Sequence, residues 1–244
     1  MENIIVIKIG GVASQHLSET AIKQLKKWQQ QGKKLIIVHG GGYAINKLMK
    51  EKQVPVQKVN GLRVTSQSDM DLVTYALCDQ VGQHLSRQLI KAGLEAVQVE
   101  ASLSKIVTAD FLDKETYGYV GQVQSIQTDY LESMLSSDMI PVIPSLGFDS
   151  RGQALNINAD YLATAMACEL SAQRLALMTD VKGVMENGAV LDSLSVGAVQ
   201  EKIDKGVITG GMIPKIQSAV QTVLAGVGQV MIGDNLTTGT VIEV

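Results

Sequence analysis

The sequence predicts an α/β protein, a three-layer αβα sandwich around a mainly parallel central sheet, and three observations carry that expectation. Apolar runs of about four to seven residues alternate with longer stretches of helical period, the pattern of strands buried on both faces and joined by crossover helices. Glycine clusters follow the first two of these runs, where strand-to-helix turns of open sheets bind ligands. The composition, 45% hydrophobic and 18% charged over 244 residues, allows a large core and excludes intrinsic disorder.

In chain order the apolar runs place strands at Ile4–Ile9, Lys34–His39, Glu95–Val99, Met139–Pro144, Arg174–Met178 and Gln229–Ile232. Helices are expected at Ser18–Gln31, Gly42–Glu51, Ser66–Ala92, Thr128–Ser137, Asn158–Leu170, Ser193–Lys205 and Gly211–Ala225. Val54–Thr65 and Lys105–Val123 break the rhythm. Both are rich in β-branched residues with Gly and Asn, and read as hairpins or excursions of the kind functional loops form. Glu186-Asn187-Gly188 has the form of a bare hairpin turn. No repeat, low-complexity stretch or linker interrupts the chain, so a single domain over 1–244 is expected.

The formal net charge of −3 and the even spread of lysines leave no nucleic-acid footprint, so an anionic ligand must be bound locally. Cys78 and Cys168 lack any CxxC or Cys/His spacing and are expected to be buried reduced thiols. The N-terminus has no basic region or small-residue cleavage site, and no stretch approaches the roughly 18 apolar residues of a membrane helix. A cytoplasmic protein without membrane association is expected.

Gly10-Gly11 and Gly40-Gly41-Gly42 are candidate anion cradles, since glycine admits close approach of backbone N–H groups and a following helix adds its positive end. Tight turns alone would explain either cluster. No GxxxxGK[ST] occurs, and the nearest approach to GxGxxG, around Gly226 and Gly228, precedes its strand, which disfavours P-loop and Rossmann enzymes.

Lys8 interrupts an apolar strand, where a charge must be paired or in use, unless it reaches solvent along its stem. Lys215 follows Pro214 at a helix start, where a cation opposes the helix dipole unless an anion binds there; a solvated lysine is the alternative. Asp160 stands where a strand or hairpin hands over to a helix, a position that capping alone also favours. Asp180 ends a further strand at the same rim of the sheet.

Six segments then form a series: Lys8-Ile9-Gly10-Gly11, His39-Gly40-Gly41-Gly42, Asn60-Gly61-Leu62-Arg63-Val64-Thr65, Asn156-Ile157-Asn158-Ala159-Asp160, Thr179-Asp180-Val181-Lys182-Gly183-Val184 and Gly210-Gly211-Met212-Ile213-Pro214-Lys215. In order and spacing they resemble the motifs of the amino-acid kinase family over nearly the whole chain. The Asn60–Thr65 and Gly210–Lys215 segments are the most specific.

The resemblance implies phosphorylation by ATP of the side-chain carboxylate of N-acetyl-L-glutamate, with Mg²⁺ held mainly by the phosphates. Lys8 and Lys215 would stabilise the transferring phosphoryl group, with Asp160 holding both lysines. Gly41, Gly42, Arg63 and Asn156 would bind the acceptor, Arg63 at its α-carboxylate. The nucleotide would take Gly10, Gly11, Asp180, Val181, Lys182, Gly183, Val184, Met185, Val207, Ile208 and Thr209. An acceptor lobe of about 1–172, an ATP lobe of about 173–244 and a homodimer built on helix Ser66–Ala92 are also implied. Arginine-inhibited members carry an extra N-terminal helix, and its absence here implies insensitivity to arginine.

Two alternatives remain from the same motifs. A kinase for carrier-protein-bound aminoadipate would need a basic groove, and the sequence has no basic cluster. A non-catalytic nucleotide or amino-acid sensor would not need Lys8, Asp160 and Lys215 together.

Overall fold

The computed structural model describes residues 3–100 and 103–244. Its centre is an eight-stranded sheet in the spatial order Ser193–Ser195, Thr240–Glu243, Gln229–Gly233, Arg174–Met178, Ile4–Ile9, Lys34–His39, Ile140–Pro144 and Ala96–Gln98. Neighbours run parallel except Gln229–Gly233 against Thr240–Glu243. From Ile4–Ile9 the chain steps outward to Lys34–His39 on one side and later returns through Arg174–Met178 on the other. That reversal creates a crevice beyond the carboxyl ends of the two central strands.

The period of two along Ile4–Ile9 sets the layers. Ile4 and Val6 pack with Leu162, Ala163 and Met166 of helix Ala159–Glu169, whereas Ile5, Ile7 and Ile9 pack with Ala21, Leu25 and Trp28 of helix Glu19–Gln30. Each such buried aliphatic side chain contributes about 1.5–3 kcal/mol by leaving water. Helix Glu19–Gln30 begins where the Ser18 side chain accepts the Ala21 N–H at 3.1 Å, and it buries positions spaced by four and three residues.

The six expected strands and most helices are present. The differences have local causes. The helix expected over Ser66–Ala92 starts later and runs unbroken from Met70 to Lys91, through Met70–Tyr75, Ala76–Gly82 and Gln83–Lys91, the middle stretch a π-helix. The Cys78 carbonyl there accepts both the Gln83 N–H, five residues on, and Gln98 Nε2 at 2.8 Å. Ser66–Asp69 is a turn in which Ser66 N–H donates to Asp69 Oδ2 and Asp69 N–H to Ser66 Oγ. Ser193–Lys205, expected as helix, opens as the edge strand Ser193–Ser195 because only Leu194 of the three is buried, and its α-helix covers Val199–Asp204.

The excursion Lys105–Val123 belongs to a larger unit. Val107–Phe111 and Val120–Ile126 pair antiparallel and close a four-stranded barrel with Leu146–Phe148 and Ala154–Ile157, two strands not among the six that the apolar runs placed. Val54–Thr65 carries the expected hairpin, Lys58–Val59 against Leu62–Arg63. Cys78 is buried, and burial pushes its thiol up to about 12; Cys168 is only half-buried, contrary to expectation, because its helix turns that position toward the edge of the core.

Candidate active site

Lys8 shares its face of the strand with Ile4 and Val6, so it projects toward the start of helix Ala159–Glu169. Its ammonium lies 3.0 Å from Asp160 Oδ1 and donates to the Met178 carbonyl at 3.2 Å. The lysine side chain is 13% exposed, so it does not reach solvent along its stem. The Asp160 side chain as a whole is 47% exposed, but its Oδ1 is closed to solvent and faces Lys8. Asn158 caps the helix by accepting the Asp160 and Tyr161 N–H groups at 2.8 and 3.3 Å, which fixes the carboxylate in the first turn, where the dipole favours it.

A cavity of about 240 Å³ opens beside this pair, lined by Lys8, Gly10, Gly11, Gly41, Gly42, Arg63, Asn156 and Asp160 among others. Gly40-Gly41-Gly42 leads into helix Gly42–Glu51, whose first N–H groups lack intrahelical partners and suit an anion. Lys8 folds over Gly10 so closely that a Cβ there would sit 2.5 Å from Nζ. Arg63 donates to Asn46 Oδ1 at 2.5 Å and to the Gly42 carbonyl at 3.5 Å, which turns its fork toward the glycine loop. Burial lowers the Arg63 pKa from its ordinary value, opposed by the Asp69 carboxylate. His39 precedes the loop, fully buried; loss of hydration pushes its imidazole down to about 4, against the opposing pull of the Gly40 carbonyl.

Asn158 and Asp160 also border a second cavity of about 180 Å³, with Thr179 and Lys215. Here the Lys215 ammonium donates to Thr179 Oγ1 at 3.3 Å, and among the described residues it makes no ion pair with Asp160. The expected bridge from Asp160 to both lysines is thus formed on the Lys8 side only. A third cavity of about 440 Å³ is lined by Val181, Lys182, Gly183, Val184, Met185, Val207, Thr209 and Met212, a mainly apolar set. Lys202 donates to both carboxylate oxygens of Glu186 at 2.6 and 2.8 Å and ties the hairpin Met185–Val190 to helix Val199–Asp204.

The expected acceptor-side residues Gly41, Gly42, Arg63 and Asn156 therefore share one cavity with Lys8 and Asp160, Gly10 and Gly11 line it too, and Lys215 lies in the adjoining one. Asp180 faces Gly11, outside the third cavity, and Ile208 is buried behind it. Lys58, Ser145 and Thr179 line the cavities without having been singled out. Ser145 follows a strand's carboxyl end and Thr179 precedes Asp180, which were usable signals; Lys58 reads as an ordinary hairpin lysine. No group of three or more His, Cys, Asp or Glu side chains placed to hold a metal ion occurs among the described residues.

Residues 3–234 match the amino acid kinase family. The chain is 60% identical over 242 residues to acetylglutamate kinase of Streptococcus mutans, covering 99% of each, and 46% identical over 243 residues to acetylglutamate kinase of Staphylococcus epidermidis, covering 100% of this chain and 99% of that one. It is also similar to the crystal structure of smu.665 from Streptococcus mutans UA159, with a TM-score of 0.90 and 60% identity over 100% of this chain and 99% of the other.

Proposed function

The chain belongs to the amino acid kinase family, and on that premise we infer that it phosphorylates the side-chain carboxylate of N-acetyl-L-glutamate with ATP, a step of arginine biosynthesis. The observation that carries this reading from the site is the Lys8–Asp160 pair, an anchored cation lining the first cavity and held by a carboxylate that borders both adjoining cavities. An acceptor carboxylate in the first cavity meets a γ-phosphoryl group whose nucleotide extends toward the second and third.

The carboxylate, with a pKa near 4.3, is ionised at neutral pH and needs no general base. Its oxygen forms the new bond to the γ-phosphorus as the bond to the bridging oxygen breaks, and ADP leaves with that electron pair. Lys8 and Lys215 neutralise charge on the oxygens in flight, and Asp160 positions Lys8. Gly10 and Gly11 offer backbone N–H groups to the phosphates. Arg63 reads the acceptor α-carboxylate through its fork, with Gly41, Gly42 and Asn156 completing that side. The apolar lining at Val181, Val184, Met185 and Val207 suits a purine; Asp180, Lys182, Gly183, Ile208 and Thr209 complete the nucleotide side. Mg²⁺ would be held mainly by the nucleotide's phosphates, and would supply neutralisation of phosphate charge beside Lys8 and Lys215.

The acceptor elements occupy residues up to about 172 and the nucleotide elements those from about 173, consistent with two lobes. A homodimer is supported by exposed Tyr75 and Ile90 on the Met70–Lys91 helical segments and by Val97 on the adjoining edge strand. Light scattering checks this, a monomer being the contrary result. No helix among the described residues is long and apolar enough to cross a membrane, and a cytoplasmic location is part of the same reading.

The test is an acceptor panel of acetylglutamate, glutamate, aspartate and acetylaminoadipate with Mg-ATP, followed by ADP release. Acetylglutamate is expected to give the highest kcat/KM, and preference for another acceptor overturns the assignment.

A further inference from the structure

Thr65 ends an exposed hairpin yet is itself fully buried, and each of its polar groups has a partner on the barrel. Its N–H donates to the Tyr117 carbonyl at 3.0 Å, and its carbonyl accepts the Tyr119 N–H at 2.7 Å. This bridge lies across Gly118, which has φ +69; a Cβ there would collide with the Thr65 carbonyl, so the approach requires glycine. The Thr65 hydroxyl lies 3.1 Å from Asn156 Nδ2 and accepts its N–H. The Asn156 backbone is fixed independently, its N–H donating to the Tyr119 carbonyl at 2.9 Å.

We propose that Thr65 is a positioning residue for the acceptor: its hydroxyl fixes the plane of the Asn156 carboxamide while its backbone locks the Arg63 hairpin onto the barrel. The terminal torsion of an asparagine is broad and roughly two-fold, so with the backbone held one hydrogen bond decides which way the amide faces. Arg63 and Asn156 line the same cavity from different elements, and Thr65 touches both elements. The proposal rests on reading that cavity as the acceptor site.

The experiment compares Thr65→Val, which deletes the hydroxyl and keeps the shape, with Thr65→Ser, which keeps the hydroxyl. Loss of one neutral hydrogen bond should raise the KM for acetylglutamate about threefold to tenfold in Thr65→Val, with the KM for ATP unchanged. Thr65→Ser should restore it. In an Asn156→Ala background Thr65→Val should add nothing further, because the group it orients is gone. Should Thr65→Val not fold, Thr65→Ala against Thr65→Ser gives the same comparison. An unchanged acceptor KM, a failure of serine to rescue, or an equal penalty in the Asn156→Ala background overturns the proposal. Wild-type protein that phosphorylates no acetylglutamate overturns the acceptor reading itself, a result distinct from these.

Discussion

The Lys8 ammonium and Asp160 Oδ1 lie 3.0 Å apart, joining the central strand of the sheet to the first turn of the helix that covers it. The cation is almost buried, so its position is set by this partner and the Met178 carbonyl rather than by solvent. Lys8→Ala is expected to lower kcat by about 100-fold or more with a smaller change in either KM, the signature of a contact strongest in the transition state. Steady-state kinetics decide this, and a wild-type kcat removes Lys8 from the mechanism.

Gly10→Ala tests the same cation without deleting it. The new methyl group would meet Lys8 Nζ and Cε at 2.5 and 2.9 Å, and the flexible end of the lysine is what must yield. Kcat is expected to fall by about tenfold or more while the thermal midpoint stays within about 2 °C of wild type. A large fall in the midpoint would place the damage in the fold, and unchanged kcat would show that the ammonium position is not critical.

Arg63→Lys replaces a planar fork held by Asn46 and Gly42 with a single ammonium. The KM for acetylglutamate is expected to rise about tenfold, a cost of about 1.4 kcal/mol, with the KM for ATP nearly unchanged. A rise in the ATP KM alone assigns Arg63 to the nucleotide.

How far these residues were legible in the sequence follows from how local their signals are. Lys8 was visible because a charge inside Ile4–Ile9 violates its surroundings, and Arg63 because its motif is distinctive. Lys58 carries no such signal, and only the folded chain brings it to a cavity. The six expected strands were legible as apolar runs. Ser193–Ser195 and Thr240–Glu243 were not, since three or four residues give too short an alternation to separate from helix or loop. Leu146–Phe148 and Ala154–Ile157 are short for the same reason and owe their pairing to the barrel.

His39 gives a pH dependence of known sign. Its folded pKa of about 4 lies below the ordinary 6.5, so between these values the unfolded chain binds a proton that the folded one refuses. Stability conferred by this group is complete above pH 6.5 and is lost as pH falls toward 4, by up to about 3 kcal/mol. Urea unfolding of wild type should therefore weaken more steeply across that window than that of His39→Leu. Parallel curves would show that the buried imidazole keeps an ordinary pKa.

The most direct test of the central claim is trapping of the product as its hydroxamate with hydroxylamine, using wild-type protein, Mg-ATP and N-acetyl-L-glutamate. Phosphoryl transfer to the carboxylate predicts hydroxamate in an amount equal to the ADP released, dependent on acetylglutamate and formed about 100-fold or more slowly by Lys8→Ala. ATP bound or hydrolysed without any hydroxamate would contradict transfer to a carboxylate.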